Sequence, residues 1–202
     1  MPRTVDHAER RAHIAEALVR VAGREGLHAV TMRAVAAEAG VSLRLVQYYF
    51  QTKAQLMLGA LEHLEQQSHE RWAARLAEAP DPDSPRGYIE AFLAEALPTD
   101  EQSRIFHLVG TSYAVLAMTD KELAEQPFIA GVDRLEGQLA GALEQALSAG
   151  ELSPDLDVPA EAALLVTLSH GLGTSVLIGQ RSAKAAIAVL GKHLDRLFGE
   201  SG

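Results

Sequence analysis

Residues 31–50 read TMRAVAAEAGVSLRLVQYYF, and this stretch decides the fold. Thr31 is placed to begin a short helix, Gly40 can adopt the left-handed conformation that ends it, and Ser42 can cap a second helix. Ala36 supplies a small side chain where two steeply crossing helices would touch. Two short helices joined by a turn of three or four residues are typical of a helix-turn-helix, whose second helix can enter the major groove of DNA.

The apolar residues of this stretch fit a core shared by the two short helices. The sequence predicts that this core contains Val35, Ala39, Val41, Val46 and Tyr49. The alternative is an ordinary helical hairpin with a glycine corner. A hairpin explains the glycine alone, whereas a helix-turn-helix also explains the small residue, the cap and the apolar spacing, so the motif is preferred.

The rest of the chain repeats apolar residues at helical spacing and shows no convincing alternating strand pattern, so the predicted fold class is all-α. One helix precedes the motif over about residues 6–24, and a long helix opens at Thr52. The segment from Pro80 to Pro85 is predicted to be a loop, and Pro127 to bend or break a helix. The remaining helices are predicted over about 86–97, 100–118, 121–149, 159–179 and 182–198.

Charge is distributed unevenly along the chain, whose formal net charge is -9. Residues 1–50 carry seven arginines and five acidic residues, a net charge of +2, whereas the remainder carries -11. A weakly basic head on an acidic body suits a protein that contacts phosphates at one end only. The chain has no cysteine, and its first residues form no apolar run typical of a secretory signal, so we expect a cytoplasmic protein.

The motif T-x-R-x-V-A-x-E-A-G-V-S, followed by Y-Y-F-x-x-K-x-x-L, resembles the signature of the TetR family. Residues 95–101 and 116–123 resemble the C-terminal half of the BetI-type subgroup. The resemblance implies a helix-turn-helix DNA-binding domain of three helices over residues 1–52 and a helical ligand-binding and dimerisation bundle over 53–202. It further implies a homodimeric, ligand-responsive transcriptional regulator, a repressor that a small-molecule effector releases from a palindromic or near-palindromic operator, with no cofactor and no metal.

The same resemblance assigns DNA contacts by position. Thr31, Arg33 and Lys53 would meet phosphates, and Tyr48 would pack on the sugar-phosphate backbone. The third helix, capped by Ser42, would present its side chains to base edges, with Arg44 suited to guanine and Gln47 to adenine. The full predicted set is Thr31, Arg33, Ser42, Leu43, Arg44, Gln47, Tyr48 and Lys53.

Three neighbouring positions carry less definite expectations. Most TetR-family members have tyrosine where this chain has Gln47, so Gln47 is either a base reader or a bystander. Tyr49 and Phe50 are expected in the core. Arg3, Arg10 and Arg11 are either solvated surface charges or an arm that contacts the DNA backbone or minor groove.

The C-terminal half offers candidate effector and dimer contacts. Aromatic and polar residues on the middle helices suggest an apolar or aromatic effector with a few polar groups, although each is also explained by core packing. The candidates are Trp72, Phe92, Phe106, His107, Thr111, Tyr113, Met118 and His170. The apolar stripes of the last two helices predict half of a four-helix bundle across a two-fold axis, or the closing of the chain's own core. The candidate dimer residues are Leu168, Leu172, Ile187, Leu190, Leu194 and Leu197.

Three other classes of protein fit less well. An enzyme would need a nucleophile elbow, a phosphate loop or a metal-ligand cluster, and none is apparent, so no catalytic residue is assigned. Residues 162–180 hold no formal charge, but their Ser, Thr, His and Gly residues favour a buried helix over a membrane span. A helix-turn-helix protein that acts through protein partners instead of DNA remains the third alternative.

Overall fold

The computed structural model describes residues 3–127 and 129–199, with side chains over 7–127 and 131–199. In this part of the chain the regular elements are helices alone, which confirms the all-α prediction. The elements in chain order are α1 Arg3–Glu25, a short 3₁₀ turn Leu27–Ala29, α2 Met32–Ala39, α3 Leu43–Tyr49, α4 Lys53–Ala77, α5 Pro85–Glu95, α6 Glu101–Ala117, α7 Lys121–Ala124, α8 Ile129–Ser148, α9 Val158–Leu177 and α10 Ala183–Leu197.

Several helices begin at a residue whose side chain caps the first turn. Ser84 accepts a hydrogen bond from the Gly87 N–H at 3.0 Å and opens α5, with Pro85 in its first turn. Asp157 and Ser182 cap α9 and α10 in the same way. Since the first N–H groups of a helix have no intrahelical partner, such side chains stabilise a helix start.

The helix predicted over 121–149 is two helices in the structure. The short α7 ends at Ala124 and α8 begins at Ile129, with Pro127 between them. Proline has no backbone N–H and its ring clashes with the preceding turn, so an uninterrupted helix through this position is strongly disfavoured.

The chain divides into two compact units. Unit 1 comprises Met1–Gln67 and Leu108–Pro127, and unit 2 comprises Ser68–His107 and Phe128–Gly202. Helices α4 and α6 each contribute residues to both units. The assignment of separate functions to residues 1–52 and 53–202 stays a prediction.

Unit 1 is built on α1, which packs against α2, while α2 packs against α3. Its fully buried side chains include Ile14, Leu18, Phe50, Leu56 and Met57. These residues come from α1, α4 and the end of α3, so the start of the long helix belongs to the same core as the two short helices.

Unit 2 is a helical bundle in which α8 packs against α5 and α9, and α10 packs against α5 and α9. Its fully buried residues include Ile89, Leu139, Leu143, Leu165 and Leu194. Helix α9 is long and apolar enough to cross a membrane by length and composition alone. One such helix is weak support for a membrane span, because the core helix of a soluble protein has the same properties, and α9 packs on two neighbours.

Candidate functional site

Helices α2 and α3 form the predicted helix-turn-helix, and its local chemistry is as the sequence indicates. The Ala34 N–H donates to Thr31 Oγ1 at 3.0 Å, and the Leu45 N–H donates to Ser42 Oγ at 3.2 Å. Gly40 has φ of 65° and ends α2, where the Val41 N–H bonds back to the Ala36 carbonyl at 3.0 Å. A residue with a β-carbon is disfavoured in this left-handed conformation, so glycine allows the tight turn.

The predicted core of this motif is mostly confirmed. Val35, Ala36, Ala39 and Val46 are buried, and Phe50 is completely enclosed. The two remaining positions are only half-buried: Val41, in the turn, and Tyr49, at the end of α3. The motif is therefore held by the faces of α2 and α3 that meet α1 and α4, and its outer face is left in solvent.

The residues predicted to contact DNA lie on that outer surface. Leu43 is half-buried, and the other members are exposed: Thr31, Arg33, Ser42, Arg44, Gln47, Tyr48 and Lys53. The hydroxyls of Thr31 and Ser42 accept cap hydrogen bonds, and each keeps its O–H as a donor. Within the described residues Arg33, Arg44 and Lys53 make no hydrogen bond or ion pair, so their charges are open to an outside anion.

Tyr48 and Tyr49 have different environments although they are adjacent. Tyr48 is 68% exposed, and its ring meets the Tyr49 ring edge-on with centroids 5.2 Å apart. The Tyr49 hydroxyl lies 3.0 Å from His7 Nδ1, which ties the end of α3 to α1. Tyr48 therefore presents an aromatic surface to solvent, while Tyr49 is part of the packing between helices.

Arg11 is not part of a flexible arm. Its guanidinium carbon lies 4.5 Å from the centroid of the Phe50 ring, Nη1 donates to the Tyr49 carbonyl at 3.3 Å, and Nη2 lies 3.7 Å from Glu62. Arg11 stays exposed at the surface, as one of the two expectations has it, but these contacts also join α1, α3 and α4. Arg10 is exposed, and the side chain of Arg3 lies outside the described residues.

Two further arginines of unit 1 are occupied by one carboxylate, which the charge count of the sequence does not reveal. Arg20 Nε and Arg24 Nη2 each donate to Glu38 at 2.8 Å. The hydrogen bonds from Arg24 and then Arg20 lower the pKa of Glu38 to about 2. The same pair raises the pKa of Arg24. Glu38 thus joins α2 to α1 and offsets one of the two positive charges of Arg20 and Arg24.

Glu38→Gln is expected to lower the melting temperature at neutral pH, because it removes the charge that both arginines contact. The folded-state pKa is depressed, so the stabilisation is present above the ordinary value of 4.5 and is lost as the pH falls towards about 2. Melting temperatures of wild type and Glu38→Gln, measured from pH 3 to 7, should therefore converge at low pH. Glu9→Gln, an exposed change on α1, is the control, and a Glu38→Gln difference that grows at low pH would contradict the expectation.

The eight candidate effector residues do not share one environment. Trp72, Phe92, His107 and Tyr113 are buried, Phe106 and Thr111 are half-buried, and His170 is exposed. Met118 is 79% exposed, just after the end of α6, which corrects its assignment to a pocket. The Tyr113 hydroxyl donates to the Leu123 carbonyl at 3.1 Å, so its polar group serves the packing of α6 on α7.

Within unit 2, Trp72 lies in an aromatic cluster. Its ring centroid is 4.7 Å from Tyr88, 5.5 Å from Phe92 and 6.0 Å from His69. The buried Trp72 Nε1 has no hydrogen-bond partner among the described residues. Tyr88 was not singled out from the sequence, since a lone tyrosine on a helix carries no signal of its neighbours. The cluster therefore combines a large aromatic surface with an unused N–H donor.

His107 and His170 are brought together, with Gly173 against the His107 ring. A β-carbon on Gly173 would lie 2.9 Å from His107 Nδ1 and 3.0 Å from Cε1. Burial lowers the pKa of His107 to about 4, His170 acts in the same direction, and the Ala96 carbonyl opposes both. His107 is therefore neutral at neutral pH, and its buried Nε2 has no partner in the described part of the chain. For His170, partial desolvation lowers the pKa, and the negative charge of Glu136 acts to raise it.

The candidate dimer residues fall into two groups. Leu172, Leu190 and Leu194 are buried inside unit 2, which corrects their assignment to an interface, because a second chain cannot reach them. Ile187 is 47% exposed, and Leu168 and Leu197 are half-buried. Three further apolar residues on or next to α9 and α10 are exposed: Leu164, Ile178 and Val189.

No group of three metal-ligating side chains occurs among the described residues. A surface groove of about 440 Å³ runs between the end of α4 and α5. Its two cationic lining residues, Arg75 and Arg86, already bind carboxylates of the chain. None of the residues predicted to bind an effector lines the groove.

Family models and known proteins match nearly the whole chain. Residues 14–60 match the model of bacterial regulatory proteins of the tetR family, and residues 85–199 match the C-terminal model of BetI-type transcriptional repressors. The transcriptional regulator PksA of Bacillus subtilis is 27% identical over 179 residues, which is 88% of this chain and 83% of PksA.

Many solved structures are similar in fold. A putative TetR-family regulator from Rhodococcus sp. has a TM-score of 0.83 and 24% identity, covering 95% of this chain and 99% of its own. The multidrug binding protein EbrR, complexed with imidazole, has a TM-score of 0.63 and 28% identity over 95% of this chain and 93% of its own. The second family model spans more than half of the chain. The chain belongs to the TetR family of transcriptional regulators, ligand-responsive DNA-binding repressors, and its C-terminal half is of the BetI type.

Proposed function

We propose that this regulator binds a palindromic or near-palindromic operator as a homodimer, through α2, α3 and the start of α4, and that a small molecule bound by unit 2 releases it. The DNA-binding assignment rests on one observation: some cationic side chains of unit 1 are paired within the chain, and others are exposed without a partner among the described residues. Arg11, Arg20 and Arg24 bind groups of the chain itself, whereas Arg33, Arg44 and Lys53 are exposed without a partner among the described residues.

The individual contacts follow from position and chemistry. Arg44 and Gln47 lie on the exposed side of α3, where Arg44 suits guanine and Gln47 suits adenine in the major groove. The hydroxyls of Thr31 and Ser42 can donate to phosphates while they cap their helices. Tyr48 offers a solvent-facing ring to the sugar-phosphate backbone.

Dimerisation through α9 and α10 would supply the second half-site reader. These two helices pack against each other and leave Leu164, Ile178 and Ile187 exposed. A two-fold dimer presents two reading helices, and half-sites on one face of DNA recur about every 34–36 Å. An apolar face on the two last helices is therefore the surface that we assign to the second subunit.

The effector proposal rests on unit 2. Its interior combines the aromatic cluster around Trp72 with unused polar atoms, which is the usual character of a small-molecule site. EbrR is a multidrug binding protein, and it supports an effector with ring or apolar character for this chain as well.

Arg44→Ala should weaken binding to the preferred operator by about 1–3 kcal/mol and relax the preference at one base position, because a bidentate base contact is lost. Lys53→Ala should weaken binding to every sequence and reduce the salt slope by about one, because one phosphate contact is lost. Fluorescence anisotropy with a duplex selected from a random pool by the wild type, measured at several salt concentrations, separates the two effects.

Lys121→Ala, which removes an exposed lysine on α7, is the control and should leave both affinity and salt slope unchanged. If the wild type selects no duplex and shows no salt-sensitive DNA affinity, the proposal is wrong. The helix-turn-helix would then serve protein partners.

A further inference from the structure

We propose that His107 and Gly173 form the polar subsite of the effector site, and that this subsite takes an uncharged hydroxyl or N–H group of the ligand and rejects anions. The proposal rests on the proposed function of unit 2 as the effector-binding part, and it names the chemistry of the ligand.

His107 has a buried nitrogen for which the described residues provide no hydrogen-bond partner. His107 is 9% exposed, and its Nε2 has no hydrogen-bond partner among the described residues. Most buried polar side-chain atoms in folded proteins are hydrogen-bonded, and an exception lowers stability and calls for an explanation. Trp72 Nε1 and Gln138 Oε1 are exceptions of the same kind, and both belong to unit 2. A ligand that bonds to such atoms offsets that loss of stability on binding.

Gly173 leaves the space that the His107 ring occupies. Any side chain at position 173 would place its β-carbon 2.9 Å from His107 Nδ1, so the imidazole would have to shift to make room. Gly173 is itself buried in the C-terminal part of α9, and glycine inside a helix weakens it relative to alanine. The His107 ring therefore lies directly against α9 at Gly173, where only a residue without a β-carbon leaves it in place.

The charges around the His107 ring disfavour an anionic ligand. His107 is neutral at neutral pH, so it offers a hydrogen-bonding nitrogen without a positive charge. The neighbouring His170 is also biased towards its neutral form, and Glu136 acts on it as a negative charge. An anionic ligand would lose its hydration without gaining a cation and would be repelled by Glu136, since a buried charge needs a partner. Phe106, whose ring lies 5.9 Å from the His107 ring, supplies an apolar wall.

The test uses matched aromatic probes of one shape and different polar groups. Phenol, 4-ethylphenol and 4-tert-butylphenol are compared with the anisoles and the benzoates of the same substitution, by calorimetry on the full-length protein without DNA. We expect the phenols to bind about tenfold tighter than the anisoles, as one hydrogen bond provides, and the benzoates not to bind. Failure of all the phenols to bind, or tighter binding of the benzoates, would overturn the proposal.

Three variants link the preference to this subsite. His107→Phe keeps a ring but removes both nitrogens, so the phenols should bind no tighter than the anisoles. Gly173→Ala displaces the imidazole and should reduce phenol affinity by a similar factor. Gly137→Ala, a helical glycine of α8 with open space at its β-carbon position, should leave the phenol affinity unchanged.

The variant results also separate this proposal from the proposed function. If His107→Phe or Gly173→Ala binds the phenols as tightly as the wild type does, the subsite is wrong, whether or not the protein binds an operator. Operator affinity of the wild type, measured with and without 4-tert-butylphenol, tests release separately. A ligand that binds equally well to both states shifts nothing.

Discussion

Glu95→Gln is expected to lower the free energy of unfolding by about 3 kcal/mol, because it removes the negative charge from a buried cluster and leaves its arginines in place. Glu95 is 3% exposed and accepts hydrogen bonds from Arg71, Arg75 and Ser68. Arg71 Nη2 lies 2.7 Å from Glu95 Oε1, and Arg71 is itself only 20% exposed. Arg75 also donates to Asp100.

The physical reason is the asymmetry between forming and breaking a buried ion pair. Replacing a whole buried pair by apolar residues is often neutral, whereas removing one partner leaves an uncompensated charge at a cost of about 3–5 kcal/mol. We expect the lower end of that range, because Arg75 is 37% exposed and can turn to water and Asp100. Arg71, with little access to solvent, carries most of the loss.

Urea unfolding of the two proteins measures this difference, and the midpoint should fall while the slope with denaturant stays the same. Glu90→Gln is the matched control on the same helix. Glu90 is 51% exposed and pairs with Arg86 four residues earlier, so its replacement should cost less than about 0.5 kcal/mol. Equal losses for the two variants would show that the Glu95 cluster does not stabilise unit 2.

The sequence predicts the helix-turn-helix well because the chemistry that determines it is local. Thr31 caps a helix through the N–H three residues on, Gly40 meets a backbone requirement, and Ser42 repeats the cap. Each of these features involves residues within one turn of each other, so the chain order reveals them. Pro127 also acts locally, because its ring disfavours a continuous helix, and the helix is broken around it.

The partners of charged residues were not predictable in this way. Arg11 donates to the Tyr49 carbonyl, 38 residues away in the sequence. Glu95 accepts hydrogen bonds from Arg71 and Arg75, which precede it by 24 and 20 residues. Which of the arginines in residues 1–50 remain free to meet DNA depends on these distant contacts. The sequence shows that Arg20 and Arg24 are charged, but it does not show that both contact the carboxylate of Glu38.

Apolar stripes were ambiguous for a geometric reason. Ile187, Leu190 and Leu194 recur at helical spacing, yet Leu190 and Leu194 are buried in the chain's own core while Ile187 is 47% exposed. A small difference in angle around α10 separates a core residue from a surface residue, and a pattern of apolar residues does not resolve it. The same limit applies to His107, whose unused Nε2 is a property of its surroundings.

Ile187→Asp is expected to convert the protein to monomers and to abolish measurable operator binding at concentrations where the wild type binds, while the fold is kept. The side chain is exposed in the single chain, so an aspartate there remains hydrated unless a second subunit covers it. Linking two binding modules can raise the overall affinity by about 10²–10⁴ over one module, and a monomer loses this gain because only one half-site reader is present.

Sedimentation at micromolar concentration measures the assembly, and anisotropy with the full operator and with a single half-site measures the DNA affinity. Val115→Asp, a matched change at a 56% exposed position on α6, is the control and should leave both the assembly and the affinity intact. A dimer of Ile187→Asp with wild-type affinity would show that this face of α9 and α10 is not the interface, whereas a monomer with half-site affinity alone would place the second subunit there.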